Sequence, residues 1–319
     1  MKKSAVVVSD AYLPKKKTLA QQLKANLPLL IMILPGFIAL LLFNYKPMYG
    51  ILVAFKDYKF KLGVFGSEWA AQNGMEHFIR MFRGNEFASV LGNTIWISLL
   101  RMVFGWPSPI ILSLLLNEMR CSWYKKLSQT LTYIPNFFSW VILAGIFKMM
   151  FSSVGPVNTI VKMMGFDPIP FFSSNVPFIV LVLVTAVWQG LGSGAIVYIA
   201  ALAGVDESLY EAAYIDGASK FKQVIHITLP SIMGTITTVL IMNLSGILNA
   251  GFDQIYNMYN YSVYEVGDIL DTYSLRLLQD GRYEVGTALG LFKSVVGLIF
   301  VLGSNWFIKV ISKDEYGIL

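Results

Sequence analysis

Six stretches of the chain are almost continuously apolar, and the polar residues gather between them. They run roughly over 26–45, 89–116, 129–151, 176–201, 231–251 and 286–310, each near the ~20 residues a helix needs to cross a bilayer. The first opens at Asn26-Leu27-Pro28 and contains Pro35-Gly36. No small-x-small cleavage site follows at Phe43-Asn44-Tyr45, so it reads as a retained helix and not a signal peptide. Pro35, Pro107 and Pro109 fall inside spans, where neighbouring helices can satisfy the freed carbonyls. Between the third and fourth spans, Val157, Ile160, Val161 and Met164 repeat at helical spacing, closed by Gly165 and Pro168, which predicts a short amphipathic outer helix. The pattern predicts an all-α membrane protein: a tail over 1–25, one helical domain over 26–310 and a tail over 311–319.

Composition sharpens this picture. Of 319 residues, 55% are hydrophobic and only 14% charged, against about 25% charged in soluble chains. A soluble core of this size could not hide so much apolar surface. The single cysteine, Cys121, excludes an intrachain disulfide, and two histidines, His77 and His226, leave little for a metal site, so none is expected. The net charge of +6 fits basic loops facing an anionic leaflet better than a nucleic-acid partner. Lys2, Lys3, Lys15, Lys16, Lys17 and Lys24 precede the first span, and Arg120, Lys125 and Lys126 lie in the short loop after the second. Both segments are expected in the cytoplasm, which puts both termini inside and the loops near 46–88 and 252–285 outside.

One stretch departs from the apolar pattern. Between the fourth and fifth spans, Ala201 to Pro230 reads ALAGVDESLYEAAYIDGASKFKQVIHITLP. Glu207 to Tyr214 is rich in helix formers, with Asp206 or Ser208 placed to cap its start. Gly217 supplies a left-handed turn or a close backbone approach. A second short helix is predicted from Ser219 to Ile227, ended by Pro230 before the fifth span. The small Ala212, Ala213 and Ala218 let another surface come close, and Glu211 would anchor it. Taken alone, this elbow also reads as an interfacial turn with a solvated glutamate. Its spacing, however, is a complete match to EAA-x3-G-x9-I-x-LP through Glu211-Ala212-Ala213, Gly217, Ile227 and Leu229-Pro230. Seven fixed positions arise by chance on the order of once in a billion starts.

The match resembles the coupling loop of the membrane subunits of binding-protein-dependent ABC importers. The run Tyr214-Ile215-Asp216-Gly217-Ala218 resembles their sugar-permease branch. Asn93-Thr94 with Asn117-Glu118, Tyr133-Ile134-Pro135 and Trp188 resemble other landmarks of these permeases, so the resemblance covers roughly 27–310. Asn44 to Gly50, Ala54 to Tyr58 and the ending Tyr316-Gly317 resemble permeases for complex oligosaccharides, the lipoprotein-gene-B-like group. The resemblance implies a type I ABC importer permease fold of six transmembrane helices, with a cytoplasmic coupling helix between spans four and five. It assigns Glu211, Ala212, Ala213, Asp216, Gly217, Ala218, Ile227, Leu229 and Pro230 to ATPase coupling. It implies a pore shared with a second permease, a heterodimer being favoured. Two ATP-binding subunits, an extracellular solute-binding lipoprotein and a bacterial cytoplasmic membrane complete the implied setting. ATP and Mg would belong to the ATPase subunits, and no cofactor is expected here: the chain has no G-x4-G-K-[ST], H-E-x-x-H or G-x-S-x-G. A transport subunit is therefore expected, not an enzyme.

Polar residues inside spans mark a substrate path or hold helices together. Asn243, Ser245 and Asn249, then Asp253 and Gln254, lie along the fifth span and its outer end; Trp188 and Gln189 lie in the fourth. Amides and carboxylates suit sugar hydroxyls, and aromatic rings suit the apolar sugar face. Arg101 in span two and Lys293 in span six are placed to pair with an acidic sugar, or else to snorkel or pair at a helix end. An amino-acid or peptide permease, or an autonomous secondary transporter, remains the alternative reading.

Overall fold

The structure is a computed structural model. It describes residues 26–312, without the side chains of Ser245, Ile308, Ile311 and Ser312. The expected tail over 1–25 and the ending at Tyr316-Gly317 lie outside the described residues. The chain divides into two units, Met1–Leu52 and Val53–Leu319.

In the first unit, α1 (Leu27–Leu40) starts with Pro28 in its first turn, where the missing N–H is no loss. It continues through a π-turn at Leu41–Tyr45 into a 3₁₀ stretch, Lys46–Phe55. The π-turn has a local cause. Pro47 follows, its ring displaces the carbonyl four residues back, and the preceding Lys46 N–H bonds instead to Leu41 O, five back. The same device recurs before Pro230: the π-turn Val224–Thr228 ends with Leu229 N–H on Val224 O.

In the second unit, a small antiparallel hairpin pairs β1 (Lys56–Asp57) with β2 (Glu68–Trp69). The helices α2 (Glu76–Arg83), α3 (Asn85–Gly105) and α4 (Pro107–Glu118) follow, the last two forming one long apolar run. Next come α5 (Ser122–Tyr133), α6 (Trp140–Met150), α7 (Pro156–Met163) and α8 (Asn175–Leu202). The chain then forms α9 (Glu207–Ile215), α10 (Lys220–Gln223), α11 (Met233–Ser245) and α12 (Phe252–Met258). It ends with α13 (Leu270–Gln279) and α14 (Tyr283–Ser312).

Among the described residues, four helices are long and apolar enough to cross a membrane: Leu27–Phe55, Asn85–Glu118, Asn175–Leu202 and Tyr283–Phe307. Two bent pairs raise this to six if each counts as one span. The third expected span, 129–151, is such a pair and not one helix: Ser122–Phe137 and Trp140–Met150 meet at 101°. Pro135 sits in a 3₁₀ turn there, and Phe138 and Ser139 run extended before α6 begins. The fifth expected span is also interrupted. Lys220–Ser231 and Met233–Leu244 are bent by 64°, and beyond Ser245 a 3₁₀ turn leads to two left-handed residues, Ala250 and Gly251. Pro230 does not end the helix, as expected from sequence; it sits inside Leu229–Ser231, and the bend falls at Ile232. The amphipathic piece is α7, shorter than its apolar repeat because Gly165 turns left-handed after Met164.

Helix α8 is the hub of the packing. Its glycines let neighbours approach: a Cβ on Gly192 would strike the Thr132 carbonyl and the Tyr133 ring, and one on Gly194 would lie 2.7 Å from Pro109 Cγ. One core cluster gathers Phe178, Leu181 and Val182 of α8 with Ile97, Leu143, Phe147, Ile255 and Met258. Another joins Tyr198 and Leu202 to Ile110, Ile232 and Ile236, with Leu229 packed against it. Polar clamps tie distant segments together. The Asn93 amide donates to Glu265 O (2.9 Å) and Asp268 O (3.0 Å), while Thr94 Oγ1 accepts from Leu270 N–H (2.9 Å). The Asn93-Thr94 pair thus fastens α3 to the segment that opens α13.

Candidate functional site

The elbow between α8 and α11 is built almost entirely from local chemistry. Asp206 caps α9 by accepting from Ser208 N–H at 2.9 Å, and this bond holds its carboxyl below the usual value of 3.8. At the other end, Ala218 N–H reaches Ala213 O (2.9 Å) and Gly217 N–H reaches Tyr214 O (3.1 Å). This is the six-to-one and five-to-two pairing of a Schellman ending, with Gly217 at φ +74°. The interval from Ala213 to Gly217 in the motif is the spacing that this ending requires. Ser219 then accepts from Lys222 N–H at 3.5 Å and starts α10. The Tyr210 hydroxyl meets Thr228 Oγ1 at 2.9 Å and closes the elbow on itself.

What the elbow holds inward differs from what it displays. Leu229 joins the core, and Lys220 Nζ lies 3.3 Å from Glu118 Oε2 at the end of α4. Glu211 is exposed and bonds to no described residue, while Ala212 and Asp216 are exposed and Ala213, Ala218 and Ile227 half-buried. On the same helix, Tyr214 and Ile215 lie three and four residues on and are 77% and 84% exposed, and Phe221 on α10 is 73% exposed. Apolar side chains this bare beside an unpaired carboxylate form a surface suited to a protein partner.

A cavity of about 540 Å³ lies between α3, α4, α8 and α11. It brings together three of the expected residues, Arg101, Asn243 and Asn249, and Gly246, Ala250 and Gly251 at the interruption after α11 close one side. Irregular backbone at membrane depth is tolerated where it faces such a space. Ser98, Trp106 and Tyr198 add buried Oγ, Nε1 and hydroxyl groups, and the Ser98 Oγ has no hydrogen-bond partner among the described residues. Among the described residues of the lining, Arg101 is the only charged one. Its Nη1 donates to Gln254 Oε1 (2.7 Å) and to Ala250 O (3.3 Å).

The other expected path residues do not line this cavity. Trp188 packs edge-on against Phe147 with ring centroids 5.8 Å apart, and Gln189 lies 3.4 Å from Asn136 Oδ1. Asp253 is exposed at the start of α12. Gln254 is fully buried, donating to Val182 O (2.7 Å) and Thr185 Oγ1 (2.8 Å). Ser245 ends α11, and its side chain lies outside the described residues. Lys293 is held by both Asp271 oxygens at 2.6 Å, a closed pair within the α13–α14 contact. Reading single polar residues in spans missed Ser98 and Trp106, and it missed Gly192 and Gly194, which let the Thr132–Tyr133 segment and Pro109 approach α8 on two different sides.

A helical membrane bundle with a polar cavity and an exposed helix–glycine–helix elbow is the frame of a transport subunit. The chain belongs to the family of binding-protein-dependent transport system inner membrane components, whose model matches residues 110–314. It is 40% identical over 294 residues to Protein LplB of Bacillus subtilis, covering 92% of each chain. It is also 40% identical to the polygalacturonan/rhamnogalacturonan transport system permease protein YteP of Bacillus subtilis, covering 94% of this chain and 93% of that one. The fold superposes on a chain of a bacterial alginate ABC transporter, solved with its alginate pentasaccharide-bound periplasmic protein, at a TM-score of 0.86 and 36% identity. That match covers 95% of this chain and 100% of the other. The chain therefore has the type I ABC permease fold and is a multi-pass membrane component of a binding-protein-dependent transport system.

Proposed function

We propose that this chain forms half of an import path for an acidic oligosaccharide and is driven by separate ATPase subunits gripping its elbow. The elbow carries the reading: a capped helix, a Schellman turn and a second helix present Glu211 with Tyr214, Ile215 and Phe221 to a partner. A groove on each ATPase would take this knob, with Glu211 as its ionic or hydrogen-bonding anchor. Closure of the ATPase pair on ATP would then draw the elbows together and rock the helices between inward-open and outward-open states. Hydrolysis, ATP and Mg belong to the ATPase chains. The other half of the path is a second permease, a different chain being favoured, and an extracellular solute-binding lipoprotein delivers the cargo. Both termini face the cytoplasm of a bacterial cell.

The acidic character of the cargo rests on Arg101. A guanidinium facing a cavity with no carboxylate in its lining favours an anion, because a charge out of bulk water needs a partner. Two relatives are named for polymers of the same kind, polygalacturonan and the acidic polysaccharide alginate. Asn243 and Asn249 supply amides for sugar hydroxyls. Affinity purification of the tagged chain from its membrane, with and without Glu211→Ala, tests the assembly. A second permease and an ATPase are expected with the wild type, and the ATPase is expected to be lost from the variant. Equal ATPase recovery would defeat the role given to Glu211.

A further inference from the structure

We propose that Arg101 and Gln254 form an occupancy sensor, in which a cargo carboxylate and the left-handed break at Ala250–Gly251 compete for one guanidinium. The proposal rests on the acidic-oligosaccharide reading. Three segments meet at this node. Arg101 comes from α3, Gln254 from α12, and Val182 and Thr185 from α8. Both N–H groups of the Gln254 amide are engaged, on Val182 O and Thr185 Oγ1, so the amide cannot rotate and Oε1 is a fixed acceptor. It aims one edge of the guanidinium, through Nη1, at the break. The rest of the donor fork is without a partner among the described residues.

The break itself is under tension. Ala250 sits at φ +46°, a left-handed conformation that a residue with a Cβ resists, and its own carbonyl is the one Arg101 holds. Gly251, at φ +81°, has room for Arg101 only because it lacks a side chain: a Cβ there would overlap the guanidinium. Of the two Nη1 contacts, the Ala250 bond is the longer and runs to a neutral carbonyl. A carboxylate is a stronger acceptor and can take both N–H groups of one edge of the fork. A cargo carboxylate that takes the Nη1–Nη2 edge, the one turned to the break, would draw Arg101 off Ala250 and free the break to change conformation. Loading would thus alter the outer part of the fifth span, with Gln254 the positioning residue that keeps Arg101 poised.

The test uses the complete importer in proteoliposomes with its binding protein. The probes are a defined oligogalacturonide and the same oligosaccharide with its carboxyls reduced. Gln254→Leu is expected to raise KM for the charged probe tenfold or more, roughly the worth of one charge-assisted hydrogen bond. The KM for the reduced probe should stay unchanged, and ATP hydrolysis without solute should rise. Gln254→Glu gives Arg101 an internal carboxylate and should abolish the preference for the charged probe. Should Gln254→Leu not assemble, Arg101→Lys carries the test: it keeps the charge and loses the fork, so some charge preference should survive while solute-free hydrolysis rises. Equal KM rises for both probes, or unchanged KM with unchanged solute-dependent hydrolysis, would overturn the sensor and leave the import reading standing. An assembled wild-type importer that takes up neither probe would overturn both.

Discussion

A methyl group added at residue 217 would touch nothing within 4 Å, yet it should be costly. The left-handed φ of +74° penalises any Cβ by about 1–2 kcal/mol. Gly217→Ala should therefore weaken retention of the ATPase during purification without changing the melting of the isolated chain's core. Gly251 differs, because there both φ and the Arg101 guanidinium exclude a side chain. Gly251→Ala should lower thermal stability as well as uptake. Asn158 was invisible in the sequence, yet it is fully buried and ties together the segments before and after α7 by bonds to Ser152 O (2.9 Å), Ile169 O (3.0 Å) and Ile169 N–H (2.7 Å). Asn158→Ala should cost about 1–3 kcal/mol, read as a drop in melting temperature. Asp206 adds a pH dependence. Its carboxyl is depressed below 3.8 in the folded chain, so its contribution is present above that pH and is lost as pH falls through the folded value. ATPase retention should accordingly survive mild acidification to about pH 5 as far as this cap is concerned.

At the scale of elements, the elbow was legible because its turn, caps and internal bonds lie between Asp206 and Ser231, where spacing alone encodes them. The interruptions of the third and fifth spans were not. Pro135 is compatible with a straight span whenever neighbours satisfy the freed carbonyl, and nothing local says they do not. The left-handed pair at Ala250–Gly251 is held by Arg101, 149 positions away from Ala250. Long-range partners also decided between alternatives left open by composition. Lys293 proved to be tied to Asp271, whereas Arg101 kept part of its fork for the cavity. The bridge from Lys220 to Glu118 is a weaker tie, since both side chains are well exposed. Lys220→Met should change thermal stability by no more than about 1 kcal/mol. A larger loss would mean that the bridge anchors the elbow and does not merely decorate it.

Across the whole molecule, the elbow and the cavity are joined through packed helices. The elbow is fixed through Leu229 to a core cluster containing Tyr198, and Tyr198 also lines the cavity. On the opposite side of the break, Asn93 and Thr94 fasten α3 to the segment entering α13, and Arg276 there bonds Asp268 at 2.8 Å. Burial works against the Arg276 charge, but Asp268 and Glu86 outweigh it and raise its pKa. Arg276 should keep its charge at any physiological pH. Asn93→Ala should therefore affect uptake through the outer segment while leaving ATPase recovery at the wild-type level.

The chain's one thiol has a practical consequence. Cys121 is exposed, at the turn between α4 and α5, three residues beyond the Glu118 that bridges to the elbow. A maleimide fluorophore or nitroxide placed there needs no background cysteines removed from this chain. Such a probe would sit beside the elbow proposed to be gripped by the ATPase. A spectroscopist could thus ask, in the native sequence, whether the elbow moves when nucleotide is added.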